Sequence, residues 1–376
     1  MKKIIFLTGT RADFGKLKSL ITKVEESDTS EAYVFVTGMH MLSKYGMTAR
    51  EVEKSCFGNI YKYINQSEGD SMDIVLAKTI CGLSDYVKEI KPDLIIIHGD
   101  RVEALAGAIV GSLNNVLVSH IEGGEVSGTI DEIIRHSVTK MSHLHFVCNG
   151  EAKNRLIQLG ESNKNIYEIG SPDLDIMCSS NLPTLEDAKD RYQIDFDEYS
   201  IFMYHPVTTD VRSLNKKISV VVDALIKSNK NYIVIYPNND HGTNIILSEI
   251  KRLESNKQFK IFPSIRFEYF LTLLKNAKCI VGNSSAGIRE APFYGVPTVD
   301  LGTRQQGRSS VESIINVVEE ETLVLEAITN AYGKKVIRSE EFGKGNSADL
   351  FIEAINRDYF WKTELQKTFI DIKLAK

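Results

Sequence analysis

Short apolar runs alternate along this chain with longer segments in which apolar residues recur at helical spacing. The alternation is typical of βαβ units, in which crossover helices join parallel strands. Runs such as Leu94–Ile97 and Tyr232–Ile235 lack a period of two, as expected of strands that helices cover on both faces. Nine strands are predicted in this way: Lys3–Thr8, Ala32–Thr37, Asp93–His98, Val116–His120, Leu144–Cys148, Ser200–His205, Tyr232–Tyr236, Cys279–Gly282 and Thr298–Leu301.

A polar segment separates the first five predicted strands from the last four. Residues 171–199 are rich in Ser, Asn and Asp and contain Pro172 and Pro183, so we place the domain junction near residue 175. The chain of 376 residues then divides into a domain over 1–175 and a second over 176–357, near the usual size of roughly 150 residues each. The sequence therefore predicts two doubly wound α/β domains of the Rossmann type with a cleft between them.

The composition excludes several classes of protein. Hydrophobic residues make up 43% of the chain and charged residues 25%, as in ordinary globular proteins and unlike disordered ones. A net charge of -5 argues against a nucleic-acid partner, and no apolar run approaches the ~20 residues that span a bilayer. The five cysteines are widely spaced and form no CxxC pair, which indicates reduced thiols and a cytoplasmic protein.

Polar residues follow the predicted strands at the points where the strands end. In open parallel sheets, ligands bind beyond the carboxyl ends of the strands, so these residues are candidates for a site. Seven strand ends carry Gly, Ser, Thr, His, Asn or charged residues, which predicts a site spread over both carboxyl edges: Thr8–Asp13, Gly38–His40, His98–Arg101, His120–Glu125, His205–Thr209, Tyr236–Asp240 and Gly282–Ser285.

Three acids are the strongest candidates for chemistry. Asp100 and Glu122 follow strands that we expect to be neighbours, and Asp131 begins a helix that also carries Arg135 and His136. Acids with His and Arg nearby can form an acid–base pair with separated pKa values, or hold Mg²⁺, or, in the case of Asp131, cap the helix. The histidines lack the spacing of metal-ligand motifs such as HExxH, so we expect no zinc site.

Two turns are suited to an anionic ligand. Arg11 begins a helix after a glycine-containing turn, and the turn Gly282–Gly287 also precedes a helix. Backbone N–H groups and the hydroxyls of Ser284 and Ser285 can receive phosphate oxygens there, or the serine can simply cap the helix. Neither a Walker motif nor GxGxxG is present, which disfavours a P-loop NTPase and a standard nicotinamide enzyme.

Taken together, these motifs resemble the UDP-N-acetylglucosamine 2-epimerases. The resemblance covers about residues 4–310 and keeps the family's order of motifs. It is carried by Gly9–Asp13, Gly99–Arg101, His120–Glu125, Asp131 with Arg135 and His136, His205-Pro206, Gly282–Ser285 with Arg289-Glu290, and Gly302–Arg308. Gly128–Asp131 and Gly302–Arg308 look closest to the hydrolysing branch, which serves the synthesis of sialic-acid-type sugars.

The resemblance implies a GT-B fold whose C-terminal helix, at about 358–376, crosses back onto the first domain. It also implies hydrolysis of UDP-GlcNAc to UDP and free ManNAc, by anti elimination through a 2-acetamidoglycal and then hydration. This reaction requires neither a metal nor a nicotinamide. Because family members commonly form dimers or tetramers, a homo-oligomer is expected, with no nucleic-acid or membrane partner.

The resemblance further implies roles for individual residues. Asp100, Glu122 and Asp131 are expected to transfer protons. His40, Arg135 and His136 are expected to orient the sugar and the acids. The residues expected to bind UDP or the UDP-sugar are Arg11, Asp13, Lys16, Arg101, His205, Asn238, Ser284, Ser285, Glu290 and Arg304, with Glu290 on the ribose and His205 counted among the catalytic residues as well.

Other functions stay open at the level of sequence. The same reaction on UDP-2,4-diacetamido-2,4,6-trideoxy-glucose, which leads to legionaminic acid, favours an apolar wall against the sugar. The loop at 38–45 is a candidate for that wall, and ordinary core packing explains the loop equally well. A non-hydrolysing 2-epimerase, a GT-B glycosyltransferase and a non-catalytic UDP-sugar sensor are further alternatives. The three acids speak against the last two, which need no base at C2.

Overall fold

The computed structural model describes residues 1–43, 46–67, 69–126, 130–207, 210–237, 242–309 and 311–371. They form two compact units. The first contains the chain up to Glu125, then Ile130–Ile176 and the segment from Glu341 onward, and the second is built mainly from Met177–Glu340. The chain thus passes into the second unit after Ile176 and returns to the first with its last segment.

The first unit is built on a sheet in which all described strands run parallel, in the order β3-β2-β1-β4-β5-β6-β7. The order reverses between β1 and β4, and such a reversal is where ligands bind in open α/β sheets. The strands are β1 Lys2–Thr8, β2 Ser30–Val36, β3 Ile60–Lys62, β4 Leu94–His98, β5 Leu117–Ile121, β6 Leu144–Val147 and β7 Ile166–Glu168. The helices are α1 Arg11–Glu25, α2 Ala49–Glu53, α3 Met72–Ile90, α4 Val102–Leu113, α5 Ile130–Met141, α6 Gly150–Gln158 and α7 Asp173–Met177, which ends at the first residue of the second unit.

The second unit repeats this plan with a parallel sheet in the order β10-β9-β8-β11-β12-β13. Its reversal lies between β8 and β11. The strands are β8 Ser200–Met203, β9 Tyr232–Ile235, β10 Phe259–Phe262, β11 Ile280–Gly282, β12 Thr298–Leu301 and β13 Ile314–Val317. The helices are α8 Leu185–Tyr192, α9 Val211–Lys227, α10 Thr243–Ile250, α11 Phe267–Lys275, α12 Glu290–Tyr294 and α13 Glu321–Ala331; one further helix, α14 Ser347–Ile355, belongs to the first unit.

The uninterrupted apolar runs are explained by the two faces of each sheet. In β1, Ile4 and Phe6 belong to one buried cluster, while Ile5 and Leu7 belong to the cluster on the opposite face. Because successive side chains of a strand point to opposite faces, a strand with helices on both sides must be apolar at every position. The predicted doubly wound α/β class is therefore confirmed in both units.

The sequence pattern predicts the inner strands and misses the outer ones. All nine predicted strands are present, with ends that differ by at most two residues. The four strands that were not predicted are β3, β7, β10 and β13, which are the edges of the two described sheets. Edge strands are short and only partly covered, so their apolar runs are weak.

The C-terminal segment differs from the expectation of a helix at about 358–376. Within the described residues the chain forms turns at 358–362 and has no helix or strand at 363–371, and the helix of this segment is α14, which ends at Ile355. The indole Nε1 of Trp361 donates a hydrogen bond to the carbonyl oxygen of Ile355 at 2.7 Å and closes the helix end. At its other end α14 is capped by Asp175, which accepts from the N–H groups of Ser347 and Ala348 at 2.7 and 2.8 Å.

No helix among the described residues has the length and apolar character needed to cross a lipid bilayer.

Candidate functional site

Glu122 lies directly after β5, where the chain turns with a left-handed φ of 62°. Its buried carboxylate accepts hydrogen bonds from Nζ of Lys16 at 2.8 and 3.0 Å and from Oγ of Ser171 at 2.7 Å. Nε2 of His98 lies 3.1 Å from the same carboxylate. The Glu122 side chain is therefore held in one orientation by groups from α1, the end of β4 and the loop before α7.

Lys16 was expected to bind the UDP-sugar, and in the structure its ammonium pairs with two carboxylates of the first unit. Its ammonium lies 2.8 Å from Glu122 and 3.1 Å from Oδ2 of Asp173, whose side chain is also buried. Burying an unpaired charge is costly, and a cation between two carboxylates offsets that cost. Lys16 is thus placed to orient acids at the carboxyl edge of the sheet.

Asp100 forms an ion pair with the buried guanidinium of Arg135, which projects from α5. The other side of the guanidinium donates to the carbonyl oxygen of Glu125 at 3.3 Å. The Asp100 side chain remains 26% exposed, so a ligand can reach it. This pair brings together two residues that the sequence assigned to the site.

Asp131 lies in the first turn of α5, which begins at Ile130, so it does not occupy the capping position. Residues four apart share a face of a helix, and Asp131 therefore shares the face of Arg135. His136 is turned away from that face and has its Nε2 3.4 Å from a carboxylate oxygen of Glu132. The structure thus groups Asp131 with Arg135 and leaves His136 on a partly exposed side of α5.

His120 is a buried residue at one of the predicted strand ends, and the sequence assigned it no role of its own. Its Nε2 lies 2.8 Å from the carbonyl oxygen of Gly99, next to Asp100, and its Nδ1 lies 3.1 Å from Oγ1 of Thr139 on α5. Burial, together with the nearby His145, lowers the pKa of His120 to about 3. The ring is therefore neutral at pH 7, and its Nε2–H donates to Gly99.

The turn after β1 is held by Asp13. The Asp13 carboxylate accepts from the N–H groups of Gly9 and Thr10 at 2.9 and 3.0 Å and from the hydroxyl of Thr8 at 2.5 Å. Both oxygens are thus used to shape the turn and cap α1, although Asp13 was expected to bind the substrate. Arg11, on the same turn, has its Nε 2.9 Å from a carboxylate oxygen of Glu51.

His40 lies in a short 3₁₀ helix at the end of β2. Its ring is buried between the hydroxyls of Thr8, at 3.0 Å, and Thr48, at 2.7 Å. Burial lowers its pKa, and the negative charge of Asp13 opposes that shift. Met41 of the same loop packs on the core of the first unit, which favours the packing explanation of this segment over an apolar wall for the sugar.

Glu103 is a second buried group that the sequence did not single out. It lies in the first turn of α4, beneath Gly9 and Gly38, and burial raises the pKa of its carboxyl. A Cβ added at Gly38 would lie 2.6 Å from Oε1 of Glu103, so only glycine fits there with its φ of 62°. The other residues of α4 are mostly small or apolar, so a single acid among them is the sequence feature that could have identified Glu103. Arg101, which precedes α4, is half exposed.

In the second unit, Asn283 holds the loop that carries His205. Its side-chain oxygen accepts from the N–H of His205 at 2.6 Å, and its amide nitrogen donates to the His205 carbonyl oxygen at 2.9 Å. The carbonyl oxygen of Asn283 in turn accepts from Arg304 at 3.0 Å. Burial, reinforced by the charge of Arg304, lowers the pKa of His205 to about 3, so the ring is neutral at pH 7.

The residues after Asn283 form an N-terminal turn suited to an anion. Ser284 is buried and caps a three-residue 3₁₀ helix by accepting from the N–H of Ala286 at 3.3 Å, whereas Ser285 is exposed. Glu290 begins α12 and is buried. Asn238, which was expected to bind the UDP-sugar, and Gly128-Thr129 lie outside the described residues.

Across the described part of the chain, no three or more His, Cys, Asp and Glu side chains are grouped in a way that suits a metal ion.

Comparison with known proteins points to one family. Residues 22–356 match the family model described as UDP-N-acetylglucosamine 2-epimerase. The chain is 49% identical to the UDP-N-acetylglucosamine 2-epimerase of Neisseria meningitidis serogroup B over 100% of both chains. It is 32% identical to the hydrolysing UDP-N,N'-diacetylbacillosamine 2-epimerase of Legionella pneumophila over 93% of this chain and 94% of that one.

The fold also matches a solved structure. The crystal structure of a UDP-GlcNAc 2-epimerase from Neisseria meningitidis bound to UDP-GlcNAc superposes with a TM-score of 0.81 at 18% identity. The match covers 94% of this chain and 99% of that one. At this level of identity the similarity establishes the fold, and the doubly wound units described above are those of the GT-B class.

Proposed function

The chain belongs to the UDP-N-acetylglucosamine 2-epimerase family, and from that premise we propose that it is a hydrolysing member, which converts UDP-GlcNAc and water to UDP and ManNAc. The observation that carries the proposal is the pair of oriented acids, Glu122 and Asp100, at one carboxyl edge of a chain that matches a 2-epimerase along its whole length. The similarity to a hydrolysing relative from Legionella supports the hydrolytic outcome.

The proposed reaction has two steps. A carboxylate removes the C2 proton of the sugar while the C1–O bond breaks, and UDP leaves with the bonding electrons. Water then adds its oxygen to C1 of the 2-acetamidoglycal, and C2 receives a proton on the opposite face. The free sugar therefore has the manno configuration.

The first unit would supply the proton-transfer groups. Asp100, Glu122 and Asp131 are the proposed acids, and Arg135 orients Asp100 through their ion pair. Lys16 orients Glu122 in the same way. His136 lies beside Glu132 on the partly exposed side of α5, so it is not placed to orient these acids.

The second unit would supply groups that bind UDP. The C2 proton beside an acetamido group is only weakly acidic, so stabilisation of the departing diphosphate must lower much of the barrier. His205, Ser284, Ser285 and Arg304 are the proposed diphosphate ligands, and Glu290 the proposed ribose ligand. A neutral His205 can donate a hydrogen bond to a phosphate oxygen, and Asn283 fixes its backbone.

A second candidate substrate is UDP-2,4-diacetamido-2,4,6-trideoxy-glucose. The observation that favours it is the 32% identity to the Legionella relative, whose name specifies a diacetylbacillosamine nucleotide. Met41 is partly buried and packs against the core of the first unit, which favours core packing over an apolar wall for a C6 methyl group. UDP-GlcNAc is therefore the first substrate to test.

The test is proton NMR of UDP-GlcNAc with the purified protein in D₂O. Release of UDP with ManNAc that carries deuterium at C2 is the expected result. UDP-ManNAc without UDP release would make the chain a non-hydrolysing epimerase. Turnover of only the diacetamido nucleotide would replace the substrate, and no turnover of either nucleotide would overturn the proposal. The Glu122→Gln variant, which keeps the size of the side chain, is the matched control for contaminating activity.

A further inference from the structure

The described end of the chain, residues 363–371, lies against the C-terminal end of α5; we call this segment the strap. Nζ of Lys367 donates to the carbonyl oxygens of Ser142 at 2.6 Å and Thr139 at 3.3 Å. The carbonyl oxygen of Leu365 lies 3.0 Å from Nε2 of His143. The last carbonyls of a helix have no partner within the helix and carry partial negative charge, so a lysine ammonium stabilises them.

Lys367 also belongs to a buried ion cluster around Glu161. This carboxylate, only 2% exposed, accepts from Lys140 at 2.7 Å and Lys367 at 2.6 Å and lies 3.0 Å from Nε2 of His145. Burial alone would raise the pKa of Glu161, but the hydrogen bonds and charges of these three neighbours lower it to about 2. Burial lowers the pKa of His145, so we regard its ring as a neutral donor to Glu161.

A chain of contacts connects this cluster to Asp100. The hydroxyl of Thr139, whose carbonyl binds Lys367, lies 3.1 Å from Nδ1 of His120, and Nε2 of His120 lies 2.8 Å from the carbonyl oxygen of Gly99. Asp100 follows Gly99 in the chain, and its ion-pair partner Arg135 projects from α5, one turn before Thr139. Both members of the Asp100–Arg135 pair are therefore attached to the structure that the strap holds.

We propose that Lys367 is a positioning residue of this site: it fixes the end of α5 against β5 and β6 and thereby sets the geometry of the Asp100–Arg135 pair. Lys367 acts through α5 and touches no reacting group. It lies 228 residues after Thr139, whose carbonyl oxygen it binds. A misplacement of about 1 Å at reacting groups can lower a rate by about 100-fold, so loss of one distant anchor is measurable in turnover. The effect on turnover rests on the proposed function, whereas the effect on α5 does not.

The experiment compares three variants of the full chain: Lys367→Met, Lys367→Arg and Lys362→Met. The control Lys362 is exposed on the same C-terminal segment. We expect Lys367→Met to lower kcat about 10- to 100-fold with KM changed less than about three-fold, because the proposed UDP ligands belong to the second unit. Lys367→Arg keeps the positive charge and should recover most of kcat, and Lys362→Met should match the wild type.

Amide hydrogen exchange of the same proteins tests, independently of turnover, whether Lys367 fixes the end of α5. Exchange at 134–143 should accelerate in Lys367→Met and stay unchanged in the other two variants. If the wild type is active, an unchanged kcat in Lys367→Met overturns the proposal. A kcat in Lys367→Arg as low as that in Lys367→Met overturns it too. If the wild type turns over neither nucleotide, unchanged exchange overturns the proposal and faster exchange supports it. Should Lys367→Met fail to fold, Lys367→Gln takes its place.

Discussion

Glu122 and Asp300 are both buried carboxylic acids near the end of a strand, and their surroundings differ. Lys16 and Ser171 donate to Glu122, so its carboxylate is oriented by positive and polar partners. Neither side-chain oxygen of Asp300 has a hydrogen-bond partner among the described residues, and its side chain is 1% exposed. The first arrangement suits an acid that acts on a ligand, and the second destabilises a negative charge.

Glu122→Gln and Asp100→Asn should each lower kcat by a factor of about 100 to 10,000, the usual contribution of a general acid or base. UDP affinity should stay within about three-fold of the wild type, because a transition-state role leaves ground-state binding intact. Steady-state kinetics and calorimetry with UDP measure the two quantities. Asp197→Asn, at an exposed acid of the second unit, is the control. Nearly normal turnover in both variants would remove these acids from the catalytic set.

Asp300→Asn should stabilise the protein at neutral and alkaline pH. Burial raises the pKa of Asp300 from 3.8 to about 7, although Arg304 and Arg308 oppose the shift. The folded state therefore binds this proton more tightly than the unfolded state, and stability falls as pH rises from about 4 to about 7. The variant lacks this loss. Its free energy of unfolding should therefore exceed that of the wild type by an amount that grows over this pH range to roughly 2 to 4 kcal/mol and then levels off.

Urea unfolding of wild type and Asp300→Asn at pH 4.5, 6 and 8 checks the sign. Asp197→Asn, at an exposed position, is measured in parallel as the control. If the free energy of unfolding of Asp300→Asn, relative to the wild type, falls as the pH rises, then the fold stabilises Asp300 as a carboxylate and the prediction is wrong.

At the scale of elements, α14 completes the core of the first unit although it follows the second unit in sequence. Phe351 is fully buried, and its ring centroid lies 5.0 Å from that of Phe146 and 6.5 Å from that of Phe6. Phe360, after the helix, packs on the same cluster. The first unit therefore buries its full apolar surface only when the last segment has returned to it.

Phe351→Ala should destabilise the first unit by about 3 to 5 kcal/mol, because it removes a buried aromatic ring and leaves a cavity. The chain has one tryptophan, Trp361, and it lies in the first unit, so its fluorescence during urea unfolding reports on that unit. Phe369→Ala removes the same side chain from a position that is 90% exposed and should change stability by less than about 0.5 kcal/mol. Equal midpoints for the two variants would contradict the role given to α14.

At the scale of the whole molecule, the chain builds the same doubly wound plan twice, with a reversal of strand order at β1/β4 and again at β8/β11. The same fold occurs in a Neisseria structure at 18% identity, so most individual residues are not required for it. Many apolar side chains satisfy the same core positions when the total volume and the pattern are kept.

The sequence predicted the fold best where burial is most complete. All nine predicted strands lie inside their sheets, and the four missed strands are edges, such as β3 Ile60–Lys62, which is largely exposed. For the site, the positions of Asp100 and Glu122 at strand ends followed from the pattern alone, and the structure adds the partners that orient them. The buried Glu103 was missed because it lies in the apolar sequence of α4. His120 stands at a predicted strand end of β5, but the pattern says nothing about polar contacts and so assigned it no role.

The sequence by itself determined the α/β class of each unit and the carboxyl edges at which polar side chains collect. Both follow from apolar runs and from where those runs end, and a run depends only on residues that are neighbours in the chain. The tertiary structure alone decided which charges meet. Lys16 pairs with Glu122, 106 residues away, and Lys367 with Glu161, 206 residues away. The physical reason is that an ion pair depends on distance in space and on exclusion of water, and neither quantity exists until the chain has folded.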